Sequence, residues 1–140
     1  MLHRFAPWIL PAGDLAAVML FVIIGQRDHG LVNEARPALG VLLTTAEFAG
    51  PWVLVGWRLG IYRRSEPFSV RGLLGRSLTA WLAAAPLGIL MRALVLGRAV
   101  VPVSFIAAAL VFGGLFLLGW RLVFALAWAR WRTQAAAGPS

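Results

Sequence analysis

Four long apolar stretches divide this sequence, and most charged residues lie between them or at the two ends. A helix of about 20 apolar residues spans the hydrocarbon core of a bilayer. The pattern therefore predicts an all-α polytopic membrane protein, a four-transmembrane-helix bundle that forms one domain. The predicted spans are residues 8–25, 39–62, 77–96 and 103–128, and residues 133–140 are predicted to form a short disordered tail.

Composition favours a membrane protein over a soluble domain. Hydrophobic residues make up 61% of the chain, and the mean hydropathy is +0.83. The absence of cysteine excludes disulfides, thiolate metal sites and thiol catalysis. The two histidines, His3 and His29, lie in different end regions, so we predict no metal site and no cofactor.

The net charge is +8, and all thirteen basic residues are arginines. In a soluble chain this charge would indicate a nucleic-acid partner. Here the arginines mostly flank apolar runs, where they orient the helices, so we predict membrane lipids and not nucleic acid as partners. Seven arginines lie in the two terminal segments and the second loop, against three in the other two loops. The positive-inside rule therefore predicts that both termini are cytoplasmic.

Two further features are predicted at the cytoplasmic interface. Residues 68–76 interleave apolar side chains with arginines, which is typical of a short helix in the headgroup layer. Five tryptophans are predicted to form an interfacial aromatic belt there: Trp8, Trp57, Trp81, Trp128 and Trp131.

The second span carries the most polar stripe in the chain, which includes Thr44, Glu47 and Arg58. Pro51 has no N–H to donate to the carbonyl of Glu47, which predicts a helix break beside the carboxylate. An ionised carboxylate in hydrocarbon costs about 2.5–3.5 kcal/mol on lenient scales, so Glu47 should face other helices and find a partner.

Charged residues of the other spans supply possible partners. Helical rise places Glu47 and Arg92 on the outer side of the bilayer centre, and Asp14 on the inner side. We predict one tier of Glu47 with Arg92, and a second of Asp14 with Arg121 or Arg58. Such groups either hold the helices in register as ion pairs or line a polar cavity of a transporter or pore.

The first loop offers Arg27 and His29. His29 is either an interfacial loop residue or a proton-sensing or ligand-binding group, because imidazole titrates near neutrality. The hydroxyls of Ser77, Ser104 and Thr44 have no histidine within plausible reach at the same depth, so we predict that the protein is not an enzyme.

The third span repeats small residues every four positions, at Ala80, Ala84 and Gly88, leading to Arg92. Small residues at this spacing let helix backbones approach closely. We read this as more packing surface than four short helices need, which predicts a homo-oligomer or a membrane-protein partner.

Three motifs, in this order and spacing, resemble a known prokaryotic membrane family, the one catalogued as domain of unknown function 3054. They are Gly25-Gln26-Arg27-Asp28-His29-Gly30, then Trp81…Pro86-Leu87-Gly88…Arg92, and Ser104-Phe105…Leu118-Gly119-Trp120-Arg121. The resemblance covers nearly the whole chain and implies a four-helix integral protein of the plasma (inner) membrane, with no known activity. Gln26 stands where the family suggests a second basic residue, and Glu47 stands where it tends to have proline.

Two functions remain open from the sequence. The first is a small transporter- or channel-like protein with Asp14, Glu47, Arg92 and Arg121 in its polar interior. The second is a non-catalytic accessory or scaffold subunit of a larger membrane complex, in which the same charges are structural. The sequence identifies no substrate.

Overall fold

The computed structural model describes residues 2–28, 35–63 and 69–137, and these form helices joined by short connections. Helix α1 covers Leu2–Asp28, α2 covers Pro37–Arg58 and α3 covers Val70–Val95. The fourth span begins as α4 (Val103–Ala108), passes through a π-helical segment (Ala109–Gly113) and ends as α5 (Gly114–Ala137). Among the described residues, four stretches are long and apolar enough to cross a membrane: Trp8–Asp28, Pro37–Arg58, Val70–Val95 and Val103–Gln134.

The four spans close into a ring in which each helix packs on its neighbours in sequence. Helix α2 packs on α1 and α3, and α5 packs on α3 and α1. Toward one end of this ring, Arg121 of α5 bonds to both Asp14 of α1 and Ser77 of α3. Toward the other end, Gln26, Arg92 and Phe105 line one cavity, so the start of α1, the start of α3 and the end of α5 lie together at the first end. Neighbouring spans are therefore antiparallel. We call this end the terminal end, and the other the loop end.

The distribution of polarity is that of a membrane protein. Buried polar residues include Asp14, Glu47, Ser77 and Arg121, whereas many large apolar side chains are exposed on the outside of the bundle. An apolar exterior this extensive is not typical of a soluble monomer. The structure thus has buried polar groups within an apolar core and an apolar exterior, as a multi-pass four-helix bundle has.

Aromatic side chains and small residues fill the core between the helices. Trp52 and Trp81 meet edge to face with ring centroids 6.1 Å apart. Gly88 lies so close to α2 that a Cβ there would come within 3.2 Å of the Glu47 carbonyl oxygen. Ala80 and Ala84 are also buried within the chain. The small-residue stripe of α3 therefore packs within one chain and does not indicate an oligomer. The oligomer itself stays a prediction.

Several local predictions are wrong. Helix α2 runs through Pro51 without interruption, because losing one N–H leaves the rest of the hydrogen-bond ladder intact. Residues 70–76 belong to α3 and not to a separate surface helix, since α3 starts at Val70 with Ser69 as its N-cap. The predicted tail is helical through Ala137, where alanines favour helix continuation.

The irregularity absent at Pro51 occurs instead in the fourth span. The π-helical segment Ala109–Gly113 faces α3, where the indole N–H of Trp81 donates to the carbonyl oxygen of Leu110 at 2.9 Å. A π-helical turn displaces carbonyls from the regular ladder, so they accept from other donors. Trp81 is only 1% exposed. It is a core residue, and its assignment to the interfacial belt is wrong.

Candidate functional site

A buried ion pair joins α1 to α5 near the terminal end. Arg121 Nε donates to Asp14 Oδ1 at 2.9 Å, and Nη2 donates to Asp14 Oδ2. Both side chains are at most 1% exposed. The two parallel bonds form a bidentate pair, the geometry in which guanidinium and carboxylate satisfy each other best.

Side chains of α2 and α3 add hydrogen bonds to this ion pair. Ser77 Oγ of α3 accepts from Arg121 Nη1 at 2.9 Å and donates to the Leu73 carbonyl oxygen at 2.6 Å. Trp52 of α2 donates its indole N–H to Asp14 Oδ2 at 3.2 Å. We call Asp14, Trp52, Ser77 and Arg121 the sealed cluster; it contains one residue from each span.

Two aromatic rings cover the guanidinium of this cluster. Arg121 Cζ lies 4.9 Å from the ring centroid of Trp52 and 5.3 Å from that of Tyr62, within the range of cation–π attraction. Tyr62 follows the α2 span, and its pKa is raised above the ordinary value by burial and also by the negative charge of Asp14. The phenol therefore stays neutral beside the ion pair.

A second polar group lies toward the loop end. Arg92 Nη1 donates to Thr44 Oγ1 at 2.8 Å and to Glu47 Oε2 at 3.3 Å. Gln26 Nε2 donates to the same Thr44 Oγ1 at 2.9 Å and to the Gly40 carbonyl oxygen at 3.3 Å. We call Gln26, Thr44, Glu47 and Arg92 the open cluster, because the Arg92 side chain is 16% exposed.

The open cluster borders two cavities. The aromatic cavity, of about 290 Å³, lies between the end of α1 and the fourth span. Its lining includes Gln26, Thr44 and Arg92, together with five phenylalanines: Phe21, Phe48, Phe105, Phe112 and Phe116. The Oε1 atom of Gln26 is buried without a hydrogen-bond partner among the described residues, which leaves an acceptor available beside this cavity.

The second cavity, of about 300 Å³, lies between the end of α3 and the start of the fourth span. We call it the arginine cavity, because Arg92 and Arg98 both line it, with Ser104 as a third polar residue. Arg92 and Phe105 line both cavities. The Arg92 side chain therefore stands between two spaces, each near the lower limit of ordinary ligand pockets.

The structure pairs Glu47 with Arg92, and Asp14 with Arg121 and not with Arg58. Arg58 is exposed in the last turn of α2, so it does not belong to a buried polar cluster. The chain turns back after α2, and Tyr62 covers the sealed cluster in its place. Arg27 is exposed at the end of α1, and His29 lies outside the described residues.

Sequence reasoning missed three members of these clusters: Gln26, Trp52 as a hydrogen-bond donor, and Ser77 as an acceptor. Gln26 offered a signal, because a polar side chain in the last turn of an apolar helix needs a partner. No sequence pattern would identify Trp52 and Ser77, since their roles depend on how the helices are rotated about their axes.

A family model described as Protein of unknown function (DUF3054) matches residues 11–124. The chain belongs to this family. The matched DUF3054 region begins before Asp14 and ends after Arg121, so it contains every member of the sealed and open clusters. No curated protein and no solved structure gives a significant match to this chain.

Proposed function

We propose that this DUF3054 protein is a small carrier of a prokaryotic plasma membrane, which binds its substrate at the open cluster and moves it across the bilayer. The observation that supports this is the difference between the two ends of the bundle. Arg92 faces two cavities with a single 3.3 Å contact to its carboxylate, whereas the side chains of the sealed cluster are at most 1% exposed. A binding site open at one end and closed at the other is what alternating access requires.

In this proposal the sealed cluster is the closed gate. A continuous pore through the bundle is disfavoured, because Asp14, Ser77 and Arg121 are at most 1% exposed. Transport then needs a second conformation in which the sealed cluster opens and the open cluster closes. In this proposal the change occurs at the π-helical segment, since it lines the aromatic cavity at Ala109 and Phe112 and such turns mark functional positions in helices.

The arginine distribution supports an orientation with both termini in the cytoplasm, which would make the loop end external. Membrane lipids cover the apolar exterior in this proposal, and a second copy or another membrane protein stays a predicted partner. The role is binding and movement of a solute without a chemical step.

The second function from the sequence, an accessory or scaffold subunit, is favoured by one observation. The sealed cluster uses one side chain from each span and satisfies them all, which is what a fixed structural tie requires. The two functions differ in whether this cluster ever opens.

The absence of cysteine permits a direct test with single-cysteine variants in proteoliposomes. Ala108→Cys places a thiol on the aromatic cavity, and Ser77→Cys is a near-isosteric change in the sealed cluster. For a carrier, a membrane-impermeant maleimide should label Ala108→Cys from the loop-end side and Ser77→Cys, more slowly, from the opposite side. Adding Asp14→Asn, which weakens the gate, should speed the labelling of Ser77→Cys.

A scaffold gives a different result. Ser77→Cys would then be unreactive from both sides while the protein is folded, and would react only after denaturation. That outcome would overturn the carrier proposal without any knowledge of the substrate.

A further inference from the structure

The two intramembrane arginines differ in which nitrogens the protein uses. Arg121 gives Nε and Nη2 to Asp14 and Nη1 to Ser77. Arg92 gives only Nη1, shared between Thr44 and Glu47. Among the described residues none accepts from Nε or Nη2 of Arg92. These two nitrogens form the edge of a guanidinium that binds carboxylate or phosphate with two parallel bonds.

Positive charge exceeds negative charge around the arginine cavity. The arginine cavity is lined by Arg92 and Arg98, and among the described residues no carboxylate lines it. Counting Glu47 against Arg92 still leaves one positive charge, that of Arg98. By contrast, the aromatic cavity has Asp28 in its lining, so a negatively charged group is favoured in the arginine cavity and not in its neighbour.

The walls of the arginine cavity strengthen this preference. Besides the two arginines and Ser104, its lining is apolar: Ile89, Ala93, Leu96, Val101, Pro102 and Phe105. Charges attract one another more strongly where apolar walls exclude water, and clefts lined by one sign of charge concentrate the opposite ion. The Ser104 hydroxyl adds a neutral donor at the same site.

We propose that the arginine cavity binds an oxyanion, a phosphate or similar group, which the unused edge of Arg92 and the guanidinium of Arg98 hold together. The apolar walls and the adjoining aromatic cavity then accept the uncharged part of the same molecule. This inference adds a substrate class to the proposed function. It rests on that function only in the statement that the bound anion is also transported. Binding itself is measurable without transport.

The oxyanion has two possible sources. The cavity lies at the end of α3 and in the turn that follows it, level with the ends of the spans, where lipid phosphates lie. A free solute with a phosphate group would reach the same position from water. Arg92 and Arg98 would bind the same phosphate group in either case, and the binding experiment distinguishes the two sources.

The test is binding to the purified full chain in maltoside micelles, which contain neither phosphate nor charge. Calorimetric titrations use phenyl phosphate and inorganic phosphate as soluble probes; phosphatidylglycerol, with phosphatidylcholine as reference, is the lipid probe in mixed micelles. Arg98→Gln should weaken binding of the effective probe about tenfold, the effect of losing one charged hydrogen bond. Arg92→Lys, which keeps the charge but loses the planar edge, should weaken it by at least as much.

Arg27→Gln is the matched control. Arg27 is exposed at the same end of the bundle and lines neither cavity, so this variant changes the net charge equally and should bind as the parent does, within about twofold. Arg98 is itself exposed, in the turn after α3, so Arg98→Gln leaves the fold intact and its result stays interpretable.

Each outcome decides the inference. Arg98-dependent binding of a soluble phosphate supports a solute site, and Arg98-dependent binding of phosphatidylglycerol alone supports the same site with a lipid source. Equal binding by the parent, Arg98→Gln and Arg27→Gln, or no binding of any probe, overturns it. If Ser77→Cys never reacts but binding depends on Arg98, the carrier proposal fails and the oxyanion site stands. If Ser77→Cys reacts but binding does not depend on Arg98, the carrier proposal stands and the oxyanion site is rejected.

Discussion

Arg121 and Arg92 lie in the interior of the same bundle and each faces one carboxylate, yet their surroundings differ. Arg121 has acceptors for Nε, Nη1 and Nη2 and two aromatic rings over its plane. Arg92 uses one nitrogen and is partly exposed. A charged residue within the membrane is therefore not enough to identify a binding site. What distinguishes a structural arginine from an available one is the number of donors that the protein leaves unused.

The origin of the difference lies in the fourth span. At the sealed cluster this span supplies Arg121 itself, so all four helices meet through polar contacts. At the open cluster the polar members come from α1, α2 and α3, and the fourth span supplies Phe105, Ala109 and Phe112 to the cavity walls. Arg92 therefore has its two hydrogen-bond partners, Thr44 and Glu47, on α2 and none on the fourth span among the described residues. The cavities occupy the space that such a partner would fill.

The largest expected effect comes from breaking the sealed pair. Arg121→Met leaves Asp14 buried without its cation, and we expect the free energy of unfolding to fall by about 3–5 kcal/mol. Unfolding in mixed detergent and dodecyl sulfate micelles, followed by tryptophan fluorescence, measures the change.

The control for this variant is Asp14→Leu combined with Arg121→Met, which removes both charges. The double variant should recover much of the loss, because two apolar side chains of similar size avoid a buried unpaired charge. A double variant as unstable as Arg121→Met alone would mean that lost packing, and not the unpaired carboxylate, causes the destabilisation.

The four spans were predictable because twenty-residue apolar runs have few other stable structures in a membrane. The pairing of Asp14 with Arg121 was one of two alternatives, since depth along a helix follows from residue number at a fixed rise. Rotation about each helix axis does not follow in the same way. That rotation decides whether Trp81 faces lipid or core. The turn after α2, which brings Tyr62 and not Arg58 to the sealed cluster, was equally unpredictable.

Local irregularities were the least predictable feature. Proline suggested a break at Pro51, but α2 absorbs the missing hydrogen bond. The π-helical segment contains alanine, leucine, valine, phenylalanine and glycine, none of which signals it. It is stabilised by a contact from another helix, the Trp81 indole, and a single-helix pattern does not report such a contact. The cavities beside it were unpredictable for the same reason.

A smaller effect is expected from the sealed cluster's hydroxyl. Ser77→Ala removes the acceptor for Arg121 Nη1 and should lower the free energy of unfolding by between about 0.6 and about 1.7 kcal/mol, the mean and the maximum measured for interhelical hydrogen bonds in one membrane protein. Thr79→Ala is the matched control in α3: the Thr79 hydroxyl donates to the Gly75 carbonyl oxygen of its own helix and is exposed. Equal losses for the two variants would show that the bond from Arg121 to Ser77 adds nothing to stability.

The smallest effect on stability is expected at Arg92. Arg92→Gln removes the 2.8 Å bond to Thr44 and the 3.3 Å contact to Glu47. Because Arg92 is partly exposed beside two cavities, water can replace these contacts, so the loss should be about 1 kcal/mol or less. The same micelle unfolding measurement applies, with Arg58→Gln as an exposed reference. A loss as large as that of Arg121→Met would make Arg92 a structural residue like Arg121, and the distinction between an open and a sealed cluster would disappear. A small loss of stability together with weakened phosphate binding would indicate that Arg92 serves ligand recognition. A side chain whose donors the protein leaves unused contributes little to the stability of the fold.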